Sequence, residues 1–236
     1  MIKPTIIVSI AKKDHNEILK EAQVMKQANV PMVEWRADFT EIVNIIKFAQ
    51  IASGLKKILQ NTPLLFTYRT IKEGGKGQFS PENIYPLLHY ILTQKKIDMI
   101  DIEYSLPQSI CSSLIDYAKQ LKILSILSSH DFTKTPELKI LEKQFYKMSK
   151  FNATLIKIAT MANSYDDVLN LMAAIKNFTD QYKQKMITIA MSKLGTISRL
   201  IGPIINSSYT FANFHKENAL GQLSYQQTKA FLDLFE

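Results

Sequence analysis

The chain has 236 residues, 46% of them hydrophobic, which suits one large domain or two small ones with a substantial core. No apolar run reaches the roughly 18 residues of a membrane-spanning helix, and the single cysteine, Cys111, excludes an internal disulfide and a cysteine-cluster metal site. The formal net charge of +8 raises nucleic acid as a partner, but the lysines are scattered (Lys12-Lys13, Lys56-Lys57, Lys95-Lys96) among acids, with no basic stripe interleaved with aromatics.

The opening Met1-Ile2-Lys3-Pro4 passes straight into a strand-like run without a signal-peptide pattern, so a cytoplasmic protein is expected. Thr5 to Ile10 reads as a first strand, followed by a helix from about Asp14 to Ala28. Pro31 to Arg36 is a second strand, with helical periodicity from Glu41 to Leu59; Pro63 to Arg69 is a third. A glycine loop follows, then a helix opened by Ser80-Pro81-Glu82, with proline at its first position. Asp98 to Glu103 is the fourth strand and Pro107 to Lys119 its helix; Lys122 to Ser128 is the fifth, with Thr135-Pro136 opening a helix to about Lys150. The sixth strand lies within 153–161 and its helix runs from Ser164 to Phe178. Met186 to Ala190, a short helix near Ser192–Leu200, Ser208 to Ala212 and a helix from Ser224 to Leu234 complete the chain.

Strand then helix, eight times over, in a chain of this length predicts an α/β fold, a single-domain (β/α)8 TIM barrel over 1–236. The runner-up, a doubly wound open sheet, usually brings a glycine-rich turn after its first strand, and Ser9-Ile10-Ala11-Lys12 holds no glycine.

Two rare residue types mark places where geometry matters. Of 29 basic residues only Arg36, Arg69 and Arg199 are arginine, which suggests positions that need a planar, bidentate fork. Three of the seven glycines, Gly74, Gly75 and Gly77, sit in one loop.

The sixth strand carries Lys157 at its centre, on the face it shares with Leu155 and Ala159. A strand flanked by helices has no wet face, and a desolvated lysine is the amine that forms an imine with a ketone. The plain alternative is an edge lysine snorkelling to solvent. In a barrel the chemistry gathers at the C-terminal strand ends, and those ends here carry Ser9, Glu34, Arg36, Arg69, Asp101, Glu103, His130, Lys157, Met191 and the segment after Phe211. Such convergence of polar groups at one rim favours a functional lysine. His130, on the neighbouring strand, suits a general acid and base. Glu73, four residues after Arg69 in the glycine loop, is a candidate to orient that histidine, the plain alternative being a solvated loop acid. Glu34 and Arg36, at i and i+2, share a strand face and are spaced to pair with each other. Asp101 and Glu103 have the same spacing; two such carboxylates raise metal binding, but no histidine is suitably spaced, so no metal is expected.

Glu34-Trp35-Arg36-Ala37-Asp38, Thr67-Tyr68-Arg69 with Glu73-Gly74-Gly75, Asp101-Ile102-Glu103, Ser129-His130-Asp131-Phe132 and Ile156-Lys157-Ile158-Ala159 come in that order. Met191-Ser192-Lys193-Leu194-Gly195, Ile197-Ser198-Arg199 and Gly221-Gln222 follow. Together they resemble the type I 3-dehydroquinate dehydratases of the shikimate pathway of aromatic amino acid biosynthesis, over nearly the whole chain. The resemblance implies a (β/α)8 lyase that dehydrates 3-dehydroquinate to 3-dehydroshikimate through a lysine Schiff base, with no cofactor and no metal. It implies Lys157 as the imine-forming lysine, His130 as the acid and base, and Glu73 as the group that orients it. Arg199 matches the grip on the substrate carboxylate. Glu34, Arg36, Arg69 and Gln222 match other substrate contacts, with Ser9, Met191, Phe211 and Asn218 at further pocket positions. The expected partner is the small-molecule substrate, bound by a homodimer without nucleic acid or membrane.

The family's last loop commonly reads Ser-Ala-Pro-Gly-Gln, whereas here it is Asn218-Ala219-Leu220-Gly221-Gln222. Residues 216–222 are therefore expected to form a lid without the stiffening proline. The rival enzyme reading is a class I Schiff-base aldolase on a small keto substrate, which would usually bring a glycine-rich phosphate cradle after strands seven and eight. The non-enzyme rival is a basic nucleic-acid-binding protein, whose affinity would fall steeply with salt.

Overall fold

The computed structural model describes residues 3–41, 44–214 and 221–235. Strands β1 (Thr5–Ile10), β2 (Met32–Arg36), β3 (Leu64–Thr67), β4 (Met99–Glu103), β5 (Leu124–Asp131), β6 (Leu155–Met161), β7 (Lys185–Met191) and β8 (Tyr209–Ala212) alternate with helices. The helices are α1 (His15–Gln27), α2 (Ile45–Leu59), α3 (Pro81–Gln94), α4 (Gln108–Gln120), α5 (Leu138–Ser149), α6 (Tyr165–Gln181), α7 (Gly202–Ile205) and α8 (Tyr225–Leu232). The strands form one sheet in the order β7-β6-β5-β4-β3-β2-β1-β8, and a parallel bridge of Met186 with Ser207 brings the chain entering β8 back to β7. This is the (β/α)8 barrel that eight strand–helix repeats predict. Among the described residues no helix is long and apolar enough to cross a membrane.

By their packing the residues fall into two compact units, 9–126 and 1–8 with 127–236. In the first, alternation along β2 sends Glu34 and Arg36 to one face and Trp35 to the other. Trp35 is fully buried, 5.4 Å edge-on from Phe66 and 6.0 Å from Phe48 of α2. Phe48 continues edge-on to Tyr68 at 5.9 Å, and Tyr68 to Phe79 at 5.2 Å, so a file of rings supports the loop after β3. Cys111 is buried on α4 with its thiol toward the Glu103 carbonyl, and burial pushes that thiol up to about 11, so it serves packing rather than chemistry.

In the second unit β6 pairs in register with β7 from Leu155↔Lys185 to Met161↔Met191, and β1 with β8 from Thr5↔Tyr209 to Val8↔Ala212. Phe145 of α5 meets Phe178 of α6 edge-on at 5.6 Å. Capping boxes at Ser164 with Asp167 and at Ser224 with Gln227 start α6 and α8 where the sequence places them.

The differences from the sequence reading lie at element ends. Residues 37–39 form a 3-10 turn, and α2 starts only at Ile45, where the Asn44 side chain accepts from the amides of Ile46 and Lys47. The α5 helix begins at Leu138 rather than beside Pro136, because the Thr135 hydroxyl is held at 2.8 Å by the Met161 carbonyl of β6. β5 runs on to Asp131 and therefore includes His130. The segment expected as a short helix after β7 is a 3-10 stretch, Leu194–Arg199, followed by the unforeseen four-residue α7.

Truncating Trp35 to alanine removes the largest buried ring of the β2–α2 layer. By the usual cost of such cavities it should lower unfolding stability by about 3–5 kcal/mol; a urea midpoint within error of the parent would contradict this account of the layer.

Candidate active site

Unit 9–126 gathers most of the expected acidic and arginine residues at the C-terminal ends of β1 to β4. Glu34 is 3% exposed, and its carboxylate accepts from the Ser9 hydroxyl at 2.5 Å and the Thr67 hydroxyl at 2.7 Å. Arg36 does not pair with Glu34 as the i, i+2 spacing suggests. Its fork turns back onto Asp38, with Nε donating to Oδ1 at 2.8 Å and Nη2 to Oδ2 at 2.9 Å. Burial works against the Arg36 cation, but Asp38 and then Glu34 outweigh it and raise its pKa.

Arg69 is the most enclosed cation of this unit. Its Nη2 lies 2.8 Å from Asp101 Oδ2, and its Nη1 lies 3.1 Å from Glu103 Oε1 and 3.3 Å from Glu73 Oε2. Desolvation opposes the charge, and the three carboxylates overcome it, so Arg69 stays ionised. Glu103 also accepts from the Thr70 amide at 2.8 Å and the Thr70 hydroxyl at 2.6 Å, which fixes the start of the glycine loop. Asp101 and Glu103 are thus ion partners of Arg69. Burial pushes Glu73 up to about 7; Arg69 and the Ser105 hydroxyl pull it down, while Glu103 and Asp101 add to the rise.

The other unit carries the remaining candidates. Lys157 is 5% exposed at the middle of β6, and its Nζ stands 4.3 Å above the ring of Phe211 on β8. An aromatic face in that position favours a cation, whether ammonium or protonated imine. Met191 ends β7 and is buried. His130 is half-buried near the end of β5, its ring 6.2 Å from that of Phe132 and nearly parallel to it. The strand ends in an Asx turn: burial would raise Asp131, but bonds from Thr133 and Lys134 prevail and hold it below the usual carboxylate range.

Arg199 is 3% exposed at the end of the 3-10 stretch. Its backbone is fixed by the Thr210 hydroxyl, which donates to the Arg199 carbonyl at 2.7 Å. The adjacent Ser198 hydroxyl donates to the Gly195 carbonyl at 2.7 Å and accepts from the Ala190 amide at 3.0 Å. Gln222 is held through its carbonyl by the Asn213 side-chain amide at 3.1 Å. Its own Oε1 is buried with no hydrogen-bond partner among the described residues, an acceptor suited to a ligand hydroxyl. Asn218, and residues 216–220 of the expected lid, lie outside the described residues.

Sequence reasoning overlooked the supporting residues. Asp38, Thr67, Thr70, Ser198 and Thr210 each hold a candidate in place. Only Asp38 had a signal to find it by, an acid two residues beyond an arginine.

Comparison with known proteins gives one consistent result. A sequence model described as Type I 3-dehydroquinase matches residues 6–236. The 3-dehydroquinate dehydratase of Shigella flexneri serotype 5b (strain 8401) is 35% identical over 233 residues, 98% of this chain and 92% of its own. That of Escherichia coli (strain 55989 / EAEC) shows the same identity and coverage. Among solved structures, type I 3-dehydroquinate dehydratase from Clostridium difficile with covalently modified comenic acid is similar with a TM-score of 0.95. It is 33% identical, and the match covers 100% of this chain and 93% of that one. The enzyme from Enterococcus faecalis gives a TM-score of 0.92 at 32% identity, over 100% and 95% of the two chains.

The raised Glu73 has a measurable consequence. Its folded pKa of about 7 lies above the unfolded value near 4.5, so folding favours the protonated form. The stabilisation is full below about 4.5 and is lost as pH rises through about 7. Glu73→Gln removes that titration. The parent should therefore lose stability relative to this variant between pH 5 and pH 8, read as the difference in urea midpoints. A pH-independent difference would contradict the assignment.

Proposed function

The chain belongs to the type I 3-dehydroquinase family, and on that premise we propose that Lys157, His130 and Glu73 carry its reaction while Ser9, Glu34, Arg36, Arg69, Met191, Arg199, Phe211, Asn218 and Gln222 bind the substrate. The reaction is the dehydration of 3-dehydroquinate to 3-dehydroshikimate, a step of the shikimate pathway, by the Schiff-base route characteristic of the family. The observation that supports this assignment most is the lysine buried at mid-strand in β6, with its Nζ over the Phe211 ring.

The chemistry explains why a lysine is needed. The proton to be lost lies α to a ketone, and a neutral ketone acidifies it too little for a histidine near neutral pH. Lys157 attacks the carbonyl carbon and releases one water, leaving a protonated imine that serves as electron sink. His130 takes the α proton, and the electron pair moves into the enamine. Protonated His130 then returns its proton to the β-hydroxyl, which departs as water while the enamine reverts to an iminium. Hydrolysis consumes one water and frees product and Lys157, so the net change is loss of one water. Glu73 orients His130. Arg199 grips the carboxylate, while Glu34, Arg36, Arg69 and Gln222 hold hydroxyls and carboxylate. The family model matches residues 6–236 and so spans both units. That the Clostridium difficile relative was solved with covalently modified comenic acid is in keeping with covalent chemistry here.

We also place the protein in the cytoplasm as a homodimer, with neither nucleic acid nor membrane as partner. Exposed Ile140 on α5, and Tyr165 and Leu169 on α6, offer apolar area of the kind a subunit interface covers.

The test follows the conjugated enone product by absorbance, starting from 3-dehydroquinate. The parent should turn over. His130→Ala should lose about 10²–10⁴ in kcat, the usual worth of general acid–base help; near-normal kcat would remove His130 from the mechanism. Arg199→Lys keeps the charge and loses the fork, so it should cost more than about tenfold in kcat/KM. Equal activity would mean that the carboxylate is held elsewhere.

A further inference from the structure

Two substrate-facing parts of unit 9–126 meet at a residue to which the mechanism gives no role. Asp38 lies in the 3-10 turn just past β2, and its side chain is fully buried. Both its oxygens bind the Nε and Nη2 edge of Arg36. A guanidinium has five N–H donors; this pairing takes two of them and leaves the Nη1 end with the remaining Nη2 hydrogen. The Arg36 side chain, 20% exposed, is steadied on one face by the Phe39 ring at 5.0 Å. The fork is therefore fixed in rotation and presents one edge.

Asp38 has a second attachment. Its Oδ2 also accepts from the backbone amide of Lys76 at 3.0 Å. Lys76 sits in the glycine loop that carries Glu73, and this loop is tied also to β4, where Glu103 accepts from Thr70, and to the end of β3. The Gly77 amide donates to the Arg69 carbonyl at 3.0 Å, and the Gln78 and Phe79 amides donate to the Tyr68 phenol oxygen at 3.0 and 3.2 Å. Asp38 thus adds a bond from β2 to a loop that β3 and β4 also anchor, and a carboxylate with two acceptor oxygens suits three converging donors.

We propose that Asp38 is a positioning residue for the dehydration: it sets the free edge of Arg36 for the substrate's oxygen atoms and locks the loop bearing Glu73 to the same carboxylate. The proposal rests on the reading of Arg36 as a substrate contact. An asparagine at this position keeps the size and an oxygen that can still accept from Arg36 Nη2 and the Lys76 amide, which share Oδ2, but it loses the charge and sets its NH2 donor against the Arg36 Nε donor.

The test is a double-mutant cycle on the full chain, with KM and kcat read separately for 3-dehydroquinate. Far-UV circular dichroism and urea midpoints check the fold, and Asp38→Asn is chosen because Asp38→Ala leaves a void beside a buried cation. Asp38→Asn should raise KM about tenfold in the parent, and less than about twofold further in an Arg36→Ala background, since coupled residues are non-additive. Asp38→Glu, which keeps both oxygens and the charge, should recover part of that loss. The Lys76 amide should exchange hydrogen at least about tenfold faster than in the parent in Asp38→Ala, which removes both acceptor oxygens, with the urea midpoint of that variant showing that it is folded. Equal KM effects in both backgrounds, or unchanged exchange at Lys76, would overturn the proposal even while Arg36→Ala alone raises KM. An unaltered KM in Arg36→Ala would overturn the proposal together with the reading of Arg36 on which it rests.

Discussion

A charge taken out of water has to be matched where it is put, and the buried ends of these strands are arranged to do so. Arg69 is matched by Asp101, Glu103 and Glu73 within 3.3 Å. Arg69 pulls the Glu73 carboxyl down, while Glu103 and Asp101 push it up. Burial is the largest influence and prevails, bringing Glu73 to about 7. The Lys157 Nζ stands over the face of Phe211 at 4.3 Å. A ring face in that position favours a cation.

The same accounting separates this barrel from a phosphate-binding aldolase. A phosphate cradle needs glycines whose amides stand open beside a helix N-terminus. The two glycines nearest that place are committed to packing. A Cβ on Gly195 would lie 2.1 Å from the Ala190 carbonyl oxygen, and one on Gly221, at φ +74°, would lie 2.1 Å from the Ser192 carbonyl oxygen. They allow close backbone approach between β7, the Arg199 segment and the chain before Gln222. The family match over residues 6–236 agrees with that distinction.

Hydrophobic periodicity made every strand readable, because a strand buried on both faces is written as a short run of Ile, Val, Leu and Thr. Lys157 stood out for the same reason, as a charge interrupting such a run. Periodicity carries no information about non-repeating turns. The 3-10 segment at 37–39 and the one at Leu194–Arg199 depend on local φ/ψ and on hydroxyls such as Ser198, so one was absent from the reading and the other taken for a helix. Partner choice was hidden too. Glu34 and Arg36 share a strand face, yet Glu34 is satisfied by Ser9 and Thr67 while the fork of Arg36 finds Asp38. A side chain with several reachable partners takes the one whose geometry fits, and sequence spacing ranks only the local candidates.

The account stands on a covalent bond at Lys157, and trapping that bond tests it most directly. Borohydride added while the enzyme turns over 3-dehydroquinate should reduce the imine to a stable secondary amine. The intact mass should then rise by the ligand, and digestion should place the addition on the peptide containing Lys157. An unchanged mass after that treatment, or an adduct mapped to another lysine, would contradict it.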